Sequence, residues 1–193
     1  VFDRYFDYSS KSQARLEKSK EYITSSEYHI SLDAVVSVSK ESFLQKSSNK
    51  TSLAKLYAGY IQESFDSIPE GLSIFNSGGC GDVCLKVSNE GNEEISSLVS
   101  NQDEADTRMI LHCAEAVKNK AKVIVIRSSD TDVLVLLIHH FSAINARQIF
   151  LQVGVKSKHT DNTRLIPVHK IVANLTPVQR NIVLSVYCIT GCD

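Results

Sequence analysis

Six carboxylates stand where a chain can build a ligand site. Asp3 follows Val1-Phe2, Glu104 and Asp106 flank Ala105, Asp130 and Asp132 flank Thr131, and Asp193 follows Gly191-Cys192. Oxygen-only donors suit a hard cation, Mg²⁺ or Mn²⁺, held by a few carboxylates together with water and a substrate phosphate. Two such ions roughly 4 Å apart would activate water and stabilise the leaving oxygen of a phosphodiester. The chemistry that these residue types suggest is therefore metal-dependent hydrolysis with water as the nucleophile. Taken singly, each pair has a plainer reading. Asp130 and Asp132 can cap the helix that follows them, and Glu104 can pair on a helix surface with Arg108.

The elements that must position these acids lie mostly in the second half. Ala105 to Val155 is dense in Val, Ile and Leu, whereas Ser10 to Lys40 and Lys46 to Ser52 are rich in Ser, Lys and Glu. Ser100 followed by acidic residues reads as a helix start, with the helix running to about Asn119. Lys122 to Arg127 is a continuous β-branched run, expected of a parallel strand covered on both faces. Val133 to His140 suits the helix of a right-handed crossover, and Gln148 to Val153 a further strand. Pro167 to Asn174 and Pro177 to Ile189 read as helices with proline near the first turn. Upstream, Leu53, Leu56, Tyr57, Tyr60 and Ile61 recur with helical period. Leu72 to Phe75 and Val83 to Val87 read as two strands around Gly78-Gly79-Cys80-Gly81. That loop lacks the Lys-Ser/Thr of a phosphate-binding loop.

Strands alternating with helices predict a three-layer α/β fold whose central sheet is mostly parallel. In such sheets the ligand site lies beyond the carboxyl ends of the strands. Asp3, Asp130 and Asp132 fall at strand ends in this scheme, and Asp193 falls in a glycine loop. Asp106 shares a helical stripe with Met109, Ile110, Cys113 and Val117, so it faces the core. An unpaired buried charge costs several kcal/mol, and a helix N-terminus recovers only about 0.3–1 kcal/mol. No Lys or Arg shares the stripe, which leaves a divalent cation as the simplest partner. Glu104 lies about 200° away around the same helix, so regular geometry cannot aim both acids at one ion. Cations that could steady a phosphate are Arg108 and Arg127 beside the acids, and Lys11, Arg15 and Lys18 on one face of a basic helix. A hydrated surface is the plainer reading of that basic face.

Composition narrows the classes. The chain has 193 residues, 42% hydrophobic, with three prolines, which allows one sizeable core. A single domain over 1–193 is expected, with 30–100 as an insertion within it. The longest apolar runs fall short of the roughly 18 residues of a membrane span, so no membrane partner is expected. A net charge of −1 means that any affinity for polyanions must come from local patches or from metal. Five cysteines cannot all pair, so reduced thiols in an intracellular setting, the nucleus included, are expected. A chain starting at Val1 and ending in Gly191-Cys192-Asp193 reads as a fragment.

In order, Val-Phe-Asp (1–3) with a basic helix after it, Glu-Ala-Asp (104–106), Ser-Ser-Asp-Thr-Asp (128–132) and Thr-Gly-Cys-Asp (190–193) resemble the flap endonuclease family of PIN-like 5′ nucleases. The longer runs Glu-Ala-Asp-Thr-Arg, Asp-Thr-Asp-Val-Leu-Val-Leu-Leu and Thr-Gly-Cys-Asp are similar to uncharacterised animal proteins of transposon-derived type. The resemblance covers Val1 to about Lys20 and Ser100 to Asp193. It implies a PIN-like fold, DNA or RNA as partner, two Mg²⁺ or Mn²⁺ ions, no organic cofactor, and Asp3, Glu104, Asp106, Asp130, Asp132 and Asp193 as metal-site carboxylates. Three features depart from the family. Its first strand and aspartate would precede Val1, its helix-hairpin-helix would follow Asp193, and Asp106 stands where the family has Glu. Two other classes compete. One is a PIN-like scaffold that binds nucleic acid or protein without cleaving. The other is a zinc-stabilised interaction domain using Cys80-x3-Cys84 and Cys188-x3-Cys192.

Overall fold

The computed structural model describes residues 1, 27–79, 81–102, 104–156 and 160–190. Asp3, Lys11, Arg15, Lys18, Cys80, Cys192 and Asp193 lie outside them. The chain divides into two units, Val1–Ala105 and Asp106–Asp193.

In the first unit, α1 (Lys40–Gln45) begins where Ser39 Oγ accepts the Ser42 N–H at 3.1 Å. Helix α2 (Ser47–Glu63) buries Asn49, Ala54 and Ala58, while Tyr57 and Tyr60 of the expected apolar stripe are exposed. Close approach of the backbone at Gly79 accounts for the small residues. A Cβ there would stand 2.7 Å from Ala58 Cβ and 2.9 Å from the Ala54 carbonyl oxygen. Buried Asn49 is satisfied, donating to the Phe43 carbonyl and accepting the Tyr28 N–H, both at 3.1 Å. Strands β1 (Ser73–Ser77), β2 (Cys84–Ser88) and β3 (Gly91–Glu94) form an antiparallel sheet in that order. The first two match the strands expected around the glycine loop. Ser100 does not start a helix. Its N–H donates to the Asp82 carbonyl, and its Oγ accepts the Gln102 N–H at 3.2 Å.

The second unit carries α3 (Ala105–Lys118), which enters from the last residue of the first. Strand β4 (Val123–Arg127) follows, then α4 (Thr131–Ile144), β5 (Gln148–Val153), β6 (Arg164–Pro167), α5 (Val168–Ala173) and α6 (Pro177–Thr190). Strands β4 and β5 pair in parallel, with Ile124 opposite Ile149 and Ile126 opposite Leu151, and α4 is the crossover between them. Strand β6 runs antiparallel to β5, Val153 facing Arg164 and Phe150 facing Pro167.

The expected three-layer PIN-like fold with a mostly parallel central sheet is therefore wrong. Over its described residues the protein is α/β with two three-stranded sheets, one antiparallel and one mixed. Connection length explains the reversal. A parallel return needs a crossover of a dozen or more residues, and 154–163 is long enough only for a hairpin. Gly154 turns that hairpin at φ +89°, and Asn162 Oδ1 accepts the Val155 N–H at 2.7 Å. The expectation that β4 is covered on both faces also fails. Ile124 and Ile126 are buried, whereas Val123 is 52% and Val125 55% exposed.

One core serves this unit. Val133 and Leu137 of α4, Ile149 and Leu151 of β5, and Val168 of α5 are each at most 1% exposed, with Cys113 of α3 packed among them. A capping box starts α6. Gln179 N–H donates to Thr176 Oγ1 at 3.2 Å, the Thr176 N–H donates to Gln179 Oε1 at 2.8 Å, and Pro177 takes the first helical position. Among the described residues, no helix is long and apolar enough to cross a membrane.

Candidate metal centre

The end of β4 sets the geometry. Ser128 Oγ accepts the Asp130 N–H at 3.1 Å, and Asp130 Oδ1 accepts the Asp132 N–H at 3.1 Å, which makes Asp130 the N-cap of α4. Asp132 stands in the first turn of α4 and Asp106 in the first turn of α3. Asp106, Asp130 and Asp132 each place one carboxylate oxygen within 4.8 Å of the other two. Asp130 is exposed, and the other two are half-buried. Both helix N-termini carry partial positive charge, which offsets part of the mutual repulsion.

Capping and ligation are compatible here. The cap hydrogen bond uses Asp130 Oδ1 and leaves Oδ2 for a cation. From α6, the Tyr187 hydroxyl donates to Asp132 Oδ1 at 2.7 Å, a short, charge-assisted hydrogen bond. The donor set is all oxygen and anionic, which fits a hard divalent ion. Donor pairs around an octahedral ion at about 2.1 Å stand roughly 3 to 4 Å apart, a spacing that the 4.8 Å limit accommodates.

Of the six acids expected at the site, the structure brings these three together. Glu104 precedes the first residue of α3 and is not in the group, so the expected helical offset from Asp106 does not arise. Asp3 and Asp193 lie outside the described residues. Arg127 is exposed at the end of β4, two residues short of the Ser129-Asp130 turn. Arg108, expected to reach a phosphate, is 1% exposed and turned from solvent.

The chain finds no match among family models, curated proteins or solved structures.

For a zinc site the described cysteines offer little. Cys84 and Cys113 are buried, and Cys188 is exposed. Burial pushes the Cys113 thiol up to about 11, which disfavours the thiolate that zinc requires. Among the described residues, the three aspartates form the one group of His, Cys, Asp or Glu with ligand spacing. His169 sits apart, its Nδ1 3.0 Å from the Ile149 carbonyl oxygen.

Tyr187 was not visible as a site residue in the sequence. A signal did exist, because Val183 and Tyr187 lie one helical turn apart and Val183 packs on the core. A tyrosine on an inward stripe carries a hydroxyl that needs a partner.

Proposed function

We propose that this protein is a divalent-metal-dependent phosphodiesterase acting on DNA or RNA, with Asp106, Asp130 and Asp132 holding Mg²⁺ or Mn²⁺. The observation that carries the reading is their convergence. Carboxylates from two helix starts, separated by a helix and a strand, come within 4.8 Å. When bound, such an ion would offset phosphate charge and make water a stronger acid.

The chain's own residues have distinct tasks. Asp130 fixes the start of α4 through Oδ1 and would offer its second oxygen to the ion. Asp132 is held by Tyr187. Arg127, exposed at the end of β4, would pair with a phosphate oxygen. The order of motifs resembling the flap endonucleases supports a nucleic-acid substrate, and by that resemblance Asp3, Glu104 and Asp193 belong to the same site. A second reading, a scaffold that binds without cleaving, is favoured by Glu104 standing outside the group.

The test is cleavage of labelled single-stranded and 5′-flap DNA and RNA by the full chain, in Mn²⁺ and in EDTA. An Asp130→Ala, Asp132→Ala variant is the control. Cleavage in Mn²⁺ that EDTA and the double variant both abolish supports the reading. Substrate binding without cleavage in any metal favours the scaffold.

A further inference from the structure

We propose that Tyr187 is the positioning residue that makes this centre selective for a small cation, an inference that rests on the metal reading above. Three observations lead to it. Tyr187 lies near the end of α6 and is half-buried. Its hydroxyl reaches Asp132 Oδ1 at 2.7 Å, and a carboxylate only accepts, so the phenol is the donor. Helix α6 packs against α4, the helix that carries Asp132. The hydrogen bond thus ties one ligand to a second helix and fixes the rotation of its carboxylate.

Small and large divalent ions differ in what they demand of ligands. Mg²⁺ and Mn²⁺ need near-octahedral donors at short range, whereas Ca²⁺ accepts longer and more variable geometry. Asp130 is already immobilised by its cap hydrogen bond. Asp132 stands in the same first turn, and the phenol supplies its restraint. Without the hydroxyl, the Asp132 carboxylate turns freely about its last bond and still serves Ca²⁺. It no longer presents one oxygen at the position that a small ion requires.

The experiment is calorimetric titration of the full chain with MnCl₂ and, separately, CaCl₂, comparing wild type with Tyr187→Phe. Outer ligand partners typically contribute 10- to 100-fold in metal affinity. The expected result is a loss of about ten-fold or more for Mn²⁺ with Ca²⁺ altered less than about two-fold. Equal losses for both ions would show a purely structural role and overturn the proposal, as would no change in either. Wild-type protein that binds no Mn²⁺, or binds it equally well as Asp130→Ala, Asp132→Ala, sinks the metal reading itself and this inference with it. If Tyr187→Phe does not fold by circular dichroism, 3-fluorotyrosine at 187 takes its place. Its more acidic hydroxyl is a stronger donor and should raise the ratio of Mn²⁺ to Ca²⁺ affinity; an unchanged ratio rejects the proposal.

Discussion

Replacing Asp130 by Asn separates the structural and electrostatic roles of one side chain. Asn caps a helix about as well as Asp, so the hydrogen bond to the Asp132 N–H survives while the charge is lost. Asp130 has two carboxylate neighbours within 4.8 Å. Two unit charges at that spacing repel by about 0.9 kcal/mol even with the dielectric of water. Removing both repulsions at low ionic strength therefore gains close to 2 kcal/mol, against about 0.3–1 kcal/mol lost from the helix N-terminus. In EDTA, Asp130→Asn should be more stable than wild type by about 1 kcal/mol, a rise in melting temperature of roughly 2–4 °C. Asp130→Ala also loses the cap, worth about 1 kcal/mol, and should show little net change. Mn²⁺ at a hundred times its dissociation constant adds about 2.7 kcal/mol to the protein that binds it. The order of wild type and Asp130→Asn should then reverse. Thermal melts followed by circular dichroism in EDTA and in Mn²⁺ provide the assay. An Asp130→Asn protein no more stable than wild type in EDTA, or the same ranking in both buffers, would refute the electrostatic reasoning.

Burial, with nearby positive charge adding to it, pushes the His112 imidazole down from 6.5 to about 4. The folded protein keeps it neutral where the unfolded chain takes up a proton, so stability should fall as pH drops from about 6.5 toward 4. An NMR titration midpoint for His112 near 6.5 would contradict this. A brief iodoacetamide pulse at pH 8 should label Cys188 ahead of Cys84 and Cys113, since only the first is exposed and burial raises the Cys113 thiol; equal labelling by mass spectrometry would count against it. Gly154→Ala forces an L side chain to φ +89° and drives its Cβ into the Asn162 carbonyl, so urea unfolding should show a loss of about 2 kcal/mol. A neutral outcome would mean that the hairpin relaxes.

Local pattern was enough to find most elements of the second unit. The run ending at Arg127, the apolar segment after Asp132 and the stretch from Gln148 to Val153 each became the expected strand, helix and strand. Pairing direction was hidden, because Arg164 to Pro167 is short, mixed in polarity and ends in proline, so nothing local marks it as a strand antiparallel to β5. Val123 and Val125 misled for a related reason. A β-branched run forms a strand whether or not its second face is covered, and here it is not. In the first unit, helical spacing of Leu56, Tyr57 and Tyr60 suggested the buried side, but contact with Gly79 selected Ala54 and Ala58. At the site, Asp106, Asp130 and Asp132 could be named from residue type and position. The Tyr187 contact depends on how α6 lies against α4, and helix packing is not written in either helix alone.

Asp130 leads a double life with consequences for descent. Ser, Thr or Asn at this position would preserve the start of α4 and the core behind Val133 and Leu137, while removing one charge from the triad. On the metal reading proposed above, a single substitution would remove a ligand and keep the architecture almost untouched. Aspartate at position 130 is compatible with either role, whereas a neutral capping residue there would keep the shape without the charge that the proposed cation needs.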